Sequence, residues 1–309
     1  MRSLHIPTPL IPHDTLSAAL GKDVLLKLES LQPSGSFKLR GIGRLCQRAV
    51  EAGARRFICP SGGNAGFAAA VAGRALGVPT TIVVPHSTPE SVRRRIATLG
   101  AQLVVYGAVW AEANAEALRL SGAGDALYVP PFDHPDIWDG NATLIDEAVT
   151  QGDFDVVVLS VGGGGLLCGV LEGLHRNHRA HVPVIAVETE GAASLHAAVT
   201  AGELVTLPAI TSIATTLGAS RVAPAAFEWT RRHRVHSVTV SDAQALDACL
   251  RFADDLRLLV EPACGAALAV AYQGLEVLAP YRRPLIVVCG GIAVDLDKLA
   301  AWREARGVA

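Results

Sequence analysis

Short apolar runs alternate with longer amphipathic stretches along most of the chain. The apolar runs, rich in Val, Ile and Leu, predict buried strands at 24–29, 56–59, 80–84, 102–105, 155–161, 182–188, 235–240 and 284–288. Helical spacing of apolar residues predicts helices between them, among them 37–52, 64–77, 89–99 and 110–120. Strands that alternate with helices pair in parallel, so the pattern predicts the α/β class, with two open, twisted, mostly parallel sheets flanked by helices.

A segment rich in Pro and Asp, residues 129–136, interrupts this alternation and predicts a crossing between two domains. We therefore expect a small domain over 32–135 and a large domain formed by 1–31 together with 136–309. Ligands of open α/β sheets bind beyond the carboxyl ends of the strands. The expected active site is a cleft between the two domains.

Composition and charge narrow the class of protein. The 309 residues are 50% hydrophobic and 18% charged, with a net charge of −2 and no basic cluster, so neither nucleic acid nor an anionic membrane is an expected partner. Neither an apolar run of bilayer-spanning length nor a signal peptide is recognisable, and we expect a cytoplasmic protein. The six cysteines are scattered without a Cys-x-x-Cys pair, which favours reduced thiols over a zinc site or a disulfide framework.

Lys38 is the first candidate for chemistry. It is one of only four lysines, and it alone lies in a small polar turn that opens a helical pattern. A helix N-terminus favours the neutral amine, which is the form that attacks a carbonyl to make a Schiff base. The alternative is an ordinary exposed lysine at the start of a helix.

Two glycine-containing turns follow predicted strands and open predicted helices. The turn at Ser61–Gly66 presents backbone N–H groups to an anion, although a tight connection with Asn64 as the N-cap is the alternative. The four consecutive glycines at 162–165 are costly in backbone entropy and indicate a bound ligand. Their spacing matches neither the G-x-x-x-x-G-K-[ST] loop nor G-x-G-x-x-G, which favours a small phosphate over a dinucleotide.

A third feature is Cys289, which ends a buried strand and precedes two glycines. Its thiol could bond a ligand nitrogen, and a small buried thiol at a strand end is the equal alternative. A Schiff-base lysine, a phosphate turn, a carboxylate turn and a partner for a pyridine nitrogen together describe pyridoxal phosphate with an amino-acid substrate.

The motif Lys27-Leu28-Glu29 through Gln32-Pro33-Ser34-Gly35-Ser36-Phe37-Lys38-Leu39-Arg40-Gly41 resembles the lysine motif of the L-serine/L-threonine dehydratases, within the tryptophan-synthase β family. The resemblance extends over essentially the whole chain, and the short L-serine dehydratases are the most similar group. The other matching segments are Thr8–Leu10, Ser61–Gly66, Pro130–Asp133, Ser160–Gly169, Glu261–Ala267 and Val288–Gly291. The resemblance implies pyridoxal-phosphate fold type II and a homodimer.

The resemblance also implies roles for individual residues. The cofactor would be bound by Lys38 as a Schiff base, by Phe37 against the ring, by Asn64 at the ring hydroxyl, by Cys289 at the pyridine nitrogen, and by Gly162, Gly163, Gly164, Gly165 and Leu166 at the phosphate. The substrate carboxylate would be bound by Ser61, Gly62, Gly63, Asn64 and Ala65. A monovalent cation, K+, would be bound by the Glu188 side chain and by carbonyls at Gly162, Ala192, Leu217 and Ala219.

The reaction implied by the resemblance is β-elimination from L-serine or L-threonine. The substrate amine displaces Lys38, whose amine removes the α-proton, and the β-hydroxyl leaves as water. The products are pyruvate or 2-oxobutanoate and ammonia. The two substrates differ by one methyl group, worth only about 1–3 kcal/mol in a binding site, and both stay open here.

Three departures from the family pattern bear on activity. Gly62 stands where racemases of the family have a serine base, which disfavours racemisation. Thr216 stands where close relatives have a small apolar residue against the ring, and Ile292-Ala293 replace a Ser-Asn pair. The alternatives are a cysteine-synthase-like or threonine-synthase-like enzyme, a cofactor-binding protein with little catalysis and, more remotely, a nucleotide-binding dehydrogenase.

Overall fold

The computed structural model describes residues 2–122 and 124–308. The strands are β1 (Leu10–Pro12), β2 (Leu25–Leu28), β3 (Arg56–Cys59), β4 (Thr80–Val84), β5 (Gln102–Val105), β6 (Ala126–Tyr128), β7 (Val156–Ser160), β8 (Val184–Thr189), β9 (Val235–Val240) and β10 (Pro284–Val288). The helices are α1 (Asp14–Leu20), α2 (Lys38–Glu51), α3 (Asn64–Leu76), α4 (Glu90–Thr98), α5 (Trp110–Ser121), α6 (Pro135–Gln151), α7 (Gly165–Arg176), α8 (Ser194–Ala201), α9 (Pro224–Arg232), α10 (Asp242–Leu256), α11 (Pro262–Tyr272) and α12 (Leu296–Arg306). Within the described ranges, none of the helices has the length and apolar character needed to cross a bilayer.

The described residues form two compact units. The smaller unit consists of the residues up to Ile6 together with Gln32–Asn141, and the larger unit consists of Pro7–Leu31 together with the residues from Ala142 onward. In the smaller unit, a parallel sheet has the strand order β5-β4-β3-β6. Its strands β3 and β4 are largely buried, as expected of central parallel strands covered by helices.

The larger unit contains a sheet with the strand order β1-β2-β10-β7-β8-β9. All neighbouring strands pair in parallel except β1, which is antiparallel to β2. The strands β7, β8 and β10 are buried throughout, and α7 and α11 are buried almost completely. The predicted α/β class with two mostly parallel sheets is confirmed, while the short strands β1 and β6 were not predicted from the sequence.

The observed division differs from the expected domain ranges at residues 2–6 and 136–141. Gln32 explains the first difference, because its side chain donates to the Ile6 carbonyl and accepts from the Ile6 amide. Close packing explains the second, because a Cβ atom on Gly41 would lie 2.6 Å from the carbonyl oxygen of Ile137. The beginning of α6 therefore packs on α2, and the division falls inside α6.

Lys27 is fully buried in the larger unit. Its Nζ donates to the Thr8 carbonyl at 2.7 Å, to Glu147 Oε2 at 2.8 Å and to Gln151 Oε1 at 3.0 Å. A buried ammonium group is tolerated only when its donors are satisfied in this way. Lys27 thus ties β2 to α6 and is not available as a second reactive lysine.

Candidate active site

Lys38 is the first residue of α2 in the smaller unit. The chain reaches it through a turn in which Gly35 adopts a left-handed φ of +77° and donates its N–H to the Gln32 carbonyl. The Lys38 Nζ donates to the Pro131 carbonyl at 2.6 Å and lies 5.2 Å from the centre of the Phe37 ring. The amine is therefore held in a defined direction at the N-terminus of a helix.

The turn that joins β3 to α3 lies close to this amine. Burial raises the pKa of the Cys59 thiol at the end of β3 to about 12, and the nearby charge of Lys38 opposes that shift. A Coulombic effect of this kind requires proximity, so the Lys38 amine lies near the end of β3. Ser61 Oγ accepts the N–H of Gly63 at 3.2 Å, which tightens the turn.

The start of α3 is suited to an anion. Asn64 is the first helical residue and is buried, whereas the N-cap position is taken by Gly63, which has no side chain to cap the first turn. A Cβ atom on Gly66 would lie 1.7 Å from the Ser61 carbonyl oxygen, so only glycine allows this helix to begin so close to the turn. Helix N-termini bind carboxylates through their first N–H groups.

The four-glycine turn lies between β7 and α7 in the larger unit. Gly164 is the N-cap of α7 and has a left-handed φ of +91°, and its Cβ atom would lie 2.4 Å from the Ala226 Cβ. A Cβ atom on Gly162 would lie 3.0 Å from the Leu217 Cα, and the Gly163 carbonyl accepts the N–H of Ala223. The protein's own packing thus requires two of these glycines, in addition to any ligand.

Cys289 follows β10 and is buried. A hydrogen bond with the Cys264 thiol and burial together raise the pKa of Cys289 well above its ordinary value, so this thiol stays protonated at neutral pH. The next two residues, Gly290 and Gly291, have left-handed φ angles of +91° and +127°. A neutral S–H group can share a hydrogen bond with a neutral ring nitrogen, whereas a carboxylate would favour a protonated one.

The structure brings the candidate cation ligands together only in part. A short helical turn at Thr215–Leu217 carries Leu217 against Gly162, and the Leu217 carbonyl accepts the N–H of Ala219 at 2.7 Å. The fully buried Glu188 accepts the N–H groups of Leu195 and His196 at 2.9 and 2.7 Å. Its carboxyl group therefore caps α8.

Burial of the Glu188 carboxyl group disfavours its ionised form. Burial raises its pKa to about 7, against the opposing effect of the backbone N–H groups that it accepts. Across residues 2–122 and 124–308, no three His, Cys, Asp or Glu side chains are grouped as a metal centre would need.

Several contacts of these residues were not predicted from the sequence. The Pro131 carbonyl accepts from Lys38, and the Trp110 indole N–H donates to the Pro60 carbonyl at 2.7 Å. Glu261 accepts the hydroxyl of Thr216. These partners lie far apart in sequence, and no local spacing could have paired them.

The residues present fit the chemical groups of pyridoxal phosphate. The glycine turn at 162–165 has no side chain that could project into the space before the N-terminus of α7, which suits a phosphate. Lys38 offers an oriented amine, and Cys289 offers a neutral thiol at a strand end. Asn64 adds an amide side chain at the start of α3.

Comparison with known proteins gives one family. Residues 1–290 match the family described as "Pyridoxal-phosphate dependent enzyme". The chain is 48% identical to human serine dehydratase-like over 98% of this chain and 95% of that protein. It is 46% identical to human L-serine dehydratase/L-threonine deaminase over 99% of this chain and 96% of that protein.

A solved structure agrees with these sequence relatives. The crystal structure of a fungal L-serine ammonia-lyase from Rhizomucor miehei superposes with a TM-score of 0.93 at 39% sequence identity. The match covers 98% of this chain and 99% of that one. The similarity thus extends over both units of the chain.

Proposed function

This chain belongs to the family of pyridoxal-phosphate dependent enzymes, and we propose that it catalyses β-elimination of L-serine, L-threonine or both, releasing pyruvate or 2-oxobutanoate and ammonia. The proposal rests on full-length relatives that carry these activities in their names. The observation that supports it most is Lys38, an amine fixed at a helix start beside the Ser61–Ala65 turn.

Lys38 has two tasks in this proposal. When bound, pyridoxal phosphate supplies an electron-withdrawing ring that acidifies the substrate α-proton. Lys38 Nζ would hold the cofactor covalently and, once displaced by the substrate amine, would take the α-proton. The Pro131 carbonyl directs the amine, which keeps the base oriented for proton transfer.

The remaining residues bind and orient. The first turn of α3, with Ser61 Oγ and the Asn64 amide, binds the substrate carboxylate. The glycine turn at the N-terminus of α7 would bind the cofactor phosphate, with Leu166 in the first turn of that helix. Cys289, whose thiol stays protonated, would bond the pyridine nitrogen without charging it, which would favour elimination over transamination.

A substrate panel tests the proposed function. L-serine and L-threonine alone should yield a 2-oxo acid and ammonia, with no second nucleophile added. O-acetyl-L-serine with sulfide should give no cysteine, and O-phosphohomoserine should give no threonine. Replacement products formed without any 2-oxo acid would favour the cysteine-synthase-like or threonine-synthase-like alternative. If the protein binds the cofactor but turns over none of these compounds, the alternative of a cofactor-binding protein with little catalysis would be favoured.

Gly62 leads to a prediction about stereochemistry. Since a glycine offers no base on the face opposite Lys38, D-serine should form from L-serine at less than about one hundredth of the rate of pyruvate formation. Chiral chromatography of the remaining serine measures this ratio. Comparable rates of D-serine and pyruvate formation would show that another group supplies the second base.

A matched pair of variants extends the same prediction. A Cβ atom at position 62 would lie 3.2 Å from Thr88 Cγ2 and from Val84 Cγ1, so either replacement requires a small shift of these side chains. Gly62→Ser adds a hydroxyl group where Gly62→Ala adds only the methyl group. Racemisation should therefore rise in Gly62→Ser alone.

We also propose that K+ binds at Glu188 with the carbonyls of Gly162, Ala192, Leu217 and Ala219. The close approach of Gly162 to Leu217 supports this, because a cation there would order the glycine turn. The cation would also compensate the negative charge of the buried Glu188 carboxylate.

Potassium should accordingly raise both activity and melting temperature over tetramethylammonium at equal ionic strength. Glu188→Gln should remove the difference, and the exposed neighbour variant Glu190→Gln should retain it. Equal behaviour of the wild-type protein in the two salts would contradict the cation site.

We propose two further properties: a homodimer, which the resemblance implies, and a cytoplasmic location, which the sequence led us to expect. Light scattering of the purified protein tests the first, with a mass twice that of the 32.2 kDa chain as the expected value. A monomeric mass at micromolar concentration would contradict it. Fractionation of cells that express the protein tests the second.

A further inference from the structure

Glu261 is a buried acidic residue next to the turn that follows Cys289. It is 3% exposed and occupies the N-cap position of α11, yet its side chain does not cap that helix. Instead, Oε1 accepts the hydroxyl of Thr216 at 2.5 Å, and Oε2 accepts the N–H of Ala293 at 3.2 Å. Both carboxyl oxygens act as acceptors, which is the pattern of an ionised carboxylate.

The carboxyl group of Glu261 lies directly against the turn. A Cβ atom on Gly291 would lie 2.0 Å from Glu261 Cδ, and the φ of Gly291 is +127°. Glycine is therefore required at this position by both backbone conformation and packing. The Glu261 side chain is bonded on one side to the segment after β10 and on the other to the short helical turn at Thr215–Leu217.

Two segments that lie far apart in the sequence meet at this carboxylate. The hydroxyl of Thr216 supplies one donor to it, and the backbone N–H of Ala293 supplies another. A buried carboxylate without such donors would be strongly destabilising, so the two positions act through one partner.

We propose that Thr216 is a positioning residue that acts through Glu261 to fix the turn after Cys289 and, with it, the thiol that faces the pyridine nitrogen of the cofactor. This inference rests on the proposed function, because it assigns Cys289 to that nitrogen. The charge of Glu261 also acts on the thiol directly. It adds to the bond with Cys264 and to burial in raising the pKa of Cys289.

The test compares the holoenzymes of wild type, Thr216→Val, Thr216→Ser and Thr215→Val. Valine removes the hydroxyl group at constant shape and serine retains it. Thr215 lies in the same helical turn and is exposed, as Thr216 is. Thr216→Val should release pyridoxal phosphate on dilution at least about tenfold faster than wild type, since a hydrogen bond to a charged group is lost. Its visible cofactor band should also change in its dependence on pH.

Thr216→Ser should release the cofactor at a rate within about twofold of wild type, and Thr215→Val should release it at the wild-type rate. A double-mutant cycle with Glu261→Met adds a second criterion. If Thr216 acts through Glu261, the double variant should release the cofactor no faster than Glu261→Met alone.

Equal release and equal spectra for Thr216→Val and Thr215→Val would overturn the inference. A lower melting temperature of Thr216→Val with unchanged release and spectrum would overturn it as well, because the role would then be structural only. These outcomes leave the proposed function intact. A wild-type protein without a cofactor band would overturn both.

Discussion

Replacing Lys38 by alanine should abolish the visible cofactor band and lower the rate of 2-oxo acid formation by at least about 1000-fold. The variant loses both the covalent attachment of the cofactor and the base that takes the α-proton. The fold should be retained, because the side chain is only half-buried and the backbone carbonyl of Pro131, which accepts from its Nζ, can bind water instead. Absorption spectroscopy and a coupled dehydrogenase assay measure the two effects.

Lys22→Ala is the matched control for this variant. Lys22 also donates Nζ hydrogen bonds to backbone carbonyls, those of Ala279 and Tyr281, but it lies in a turn outside the site. Its replacement should leave the spectrum unchanged and the rate within about twofold of wild type. Turnover by Lys38→Ala near the wild-type rate would remove Lys38 from the chemistry.

Gly164→Ala should have the second largest effect, lowering the free energy of unfolding by roughly 2–5 kcal/mol and weakening cofactor binding. The added Cβ atom meets two separate obstacles. The backbone has a φ of +91°, and the atom would lie 2.4 Å from the Ala226 Cβ and 3.1 Å from Val222 Cγ2. The turn must therefore move, and the phosphate would lose the N–H groups that α7 presents to it.

The Gly202→Ala variant separates the effect of the left-handed backbone from the effect of the steric contact. Gly202 also has a left-handed φ, +74°, but its Cβ atom would have no neighbour within 4 Å. This control should lose only about 1 kcal/mol and keep its affinity for the cofactor. Chemical denaturation and cofactor titration are the measurements. Equal losses in the two variants would mean that the glycine turn has no special relation to the phosphate.

Much of the fold follows from local pattern. The apolar runs that become β4, β7 and β10 are buried almost throughout, so burial and sequence signal coincide. The strands β1 and β6 escape prediction because they are three residues long and half-exposed, which leaves little apolar signal. The boundary between the two units inside α6 could not be predicted either, because the helix is continuous through that point.

Lys27 shows the limit of local reasoning about charge. A lysine in an apolar run suggests the edge or the end of a strand, yet β2 lies between β1 and β10 and Lys27 is fully buried. Its partner Glu147 is 120 residues away in the sequence, on α6. Only tertiary structure shows that the ammonium group is satisfied.

In the candidate site, too, some residues follow from local sequence motifs and others do not. Lys38, the turn at 61–66 and the glycines at 162–165 can be predicted because short motifs place them at strand ends and helix starts. Thr216 and Glu261 are 45 residues apart, and nothing in the spacing of either indicates the other. The polar partners that tune a site come from several segments, so they emerge only when the chain is folded.

The most direct test of the proposed elimination measures ammonia and pyruvate together, with L-serine as the only substrate of the purified holoenzyme. Elimination predicts that the two products form at equal rates, that D-serine does not accumulate, and that Lys38→Ala forms neither product. Ammonia without pyruvate, or no product from a wild-type enzyme that shows the cofactor band, would contradict it.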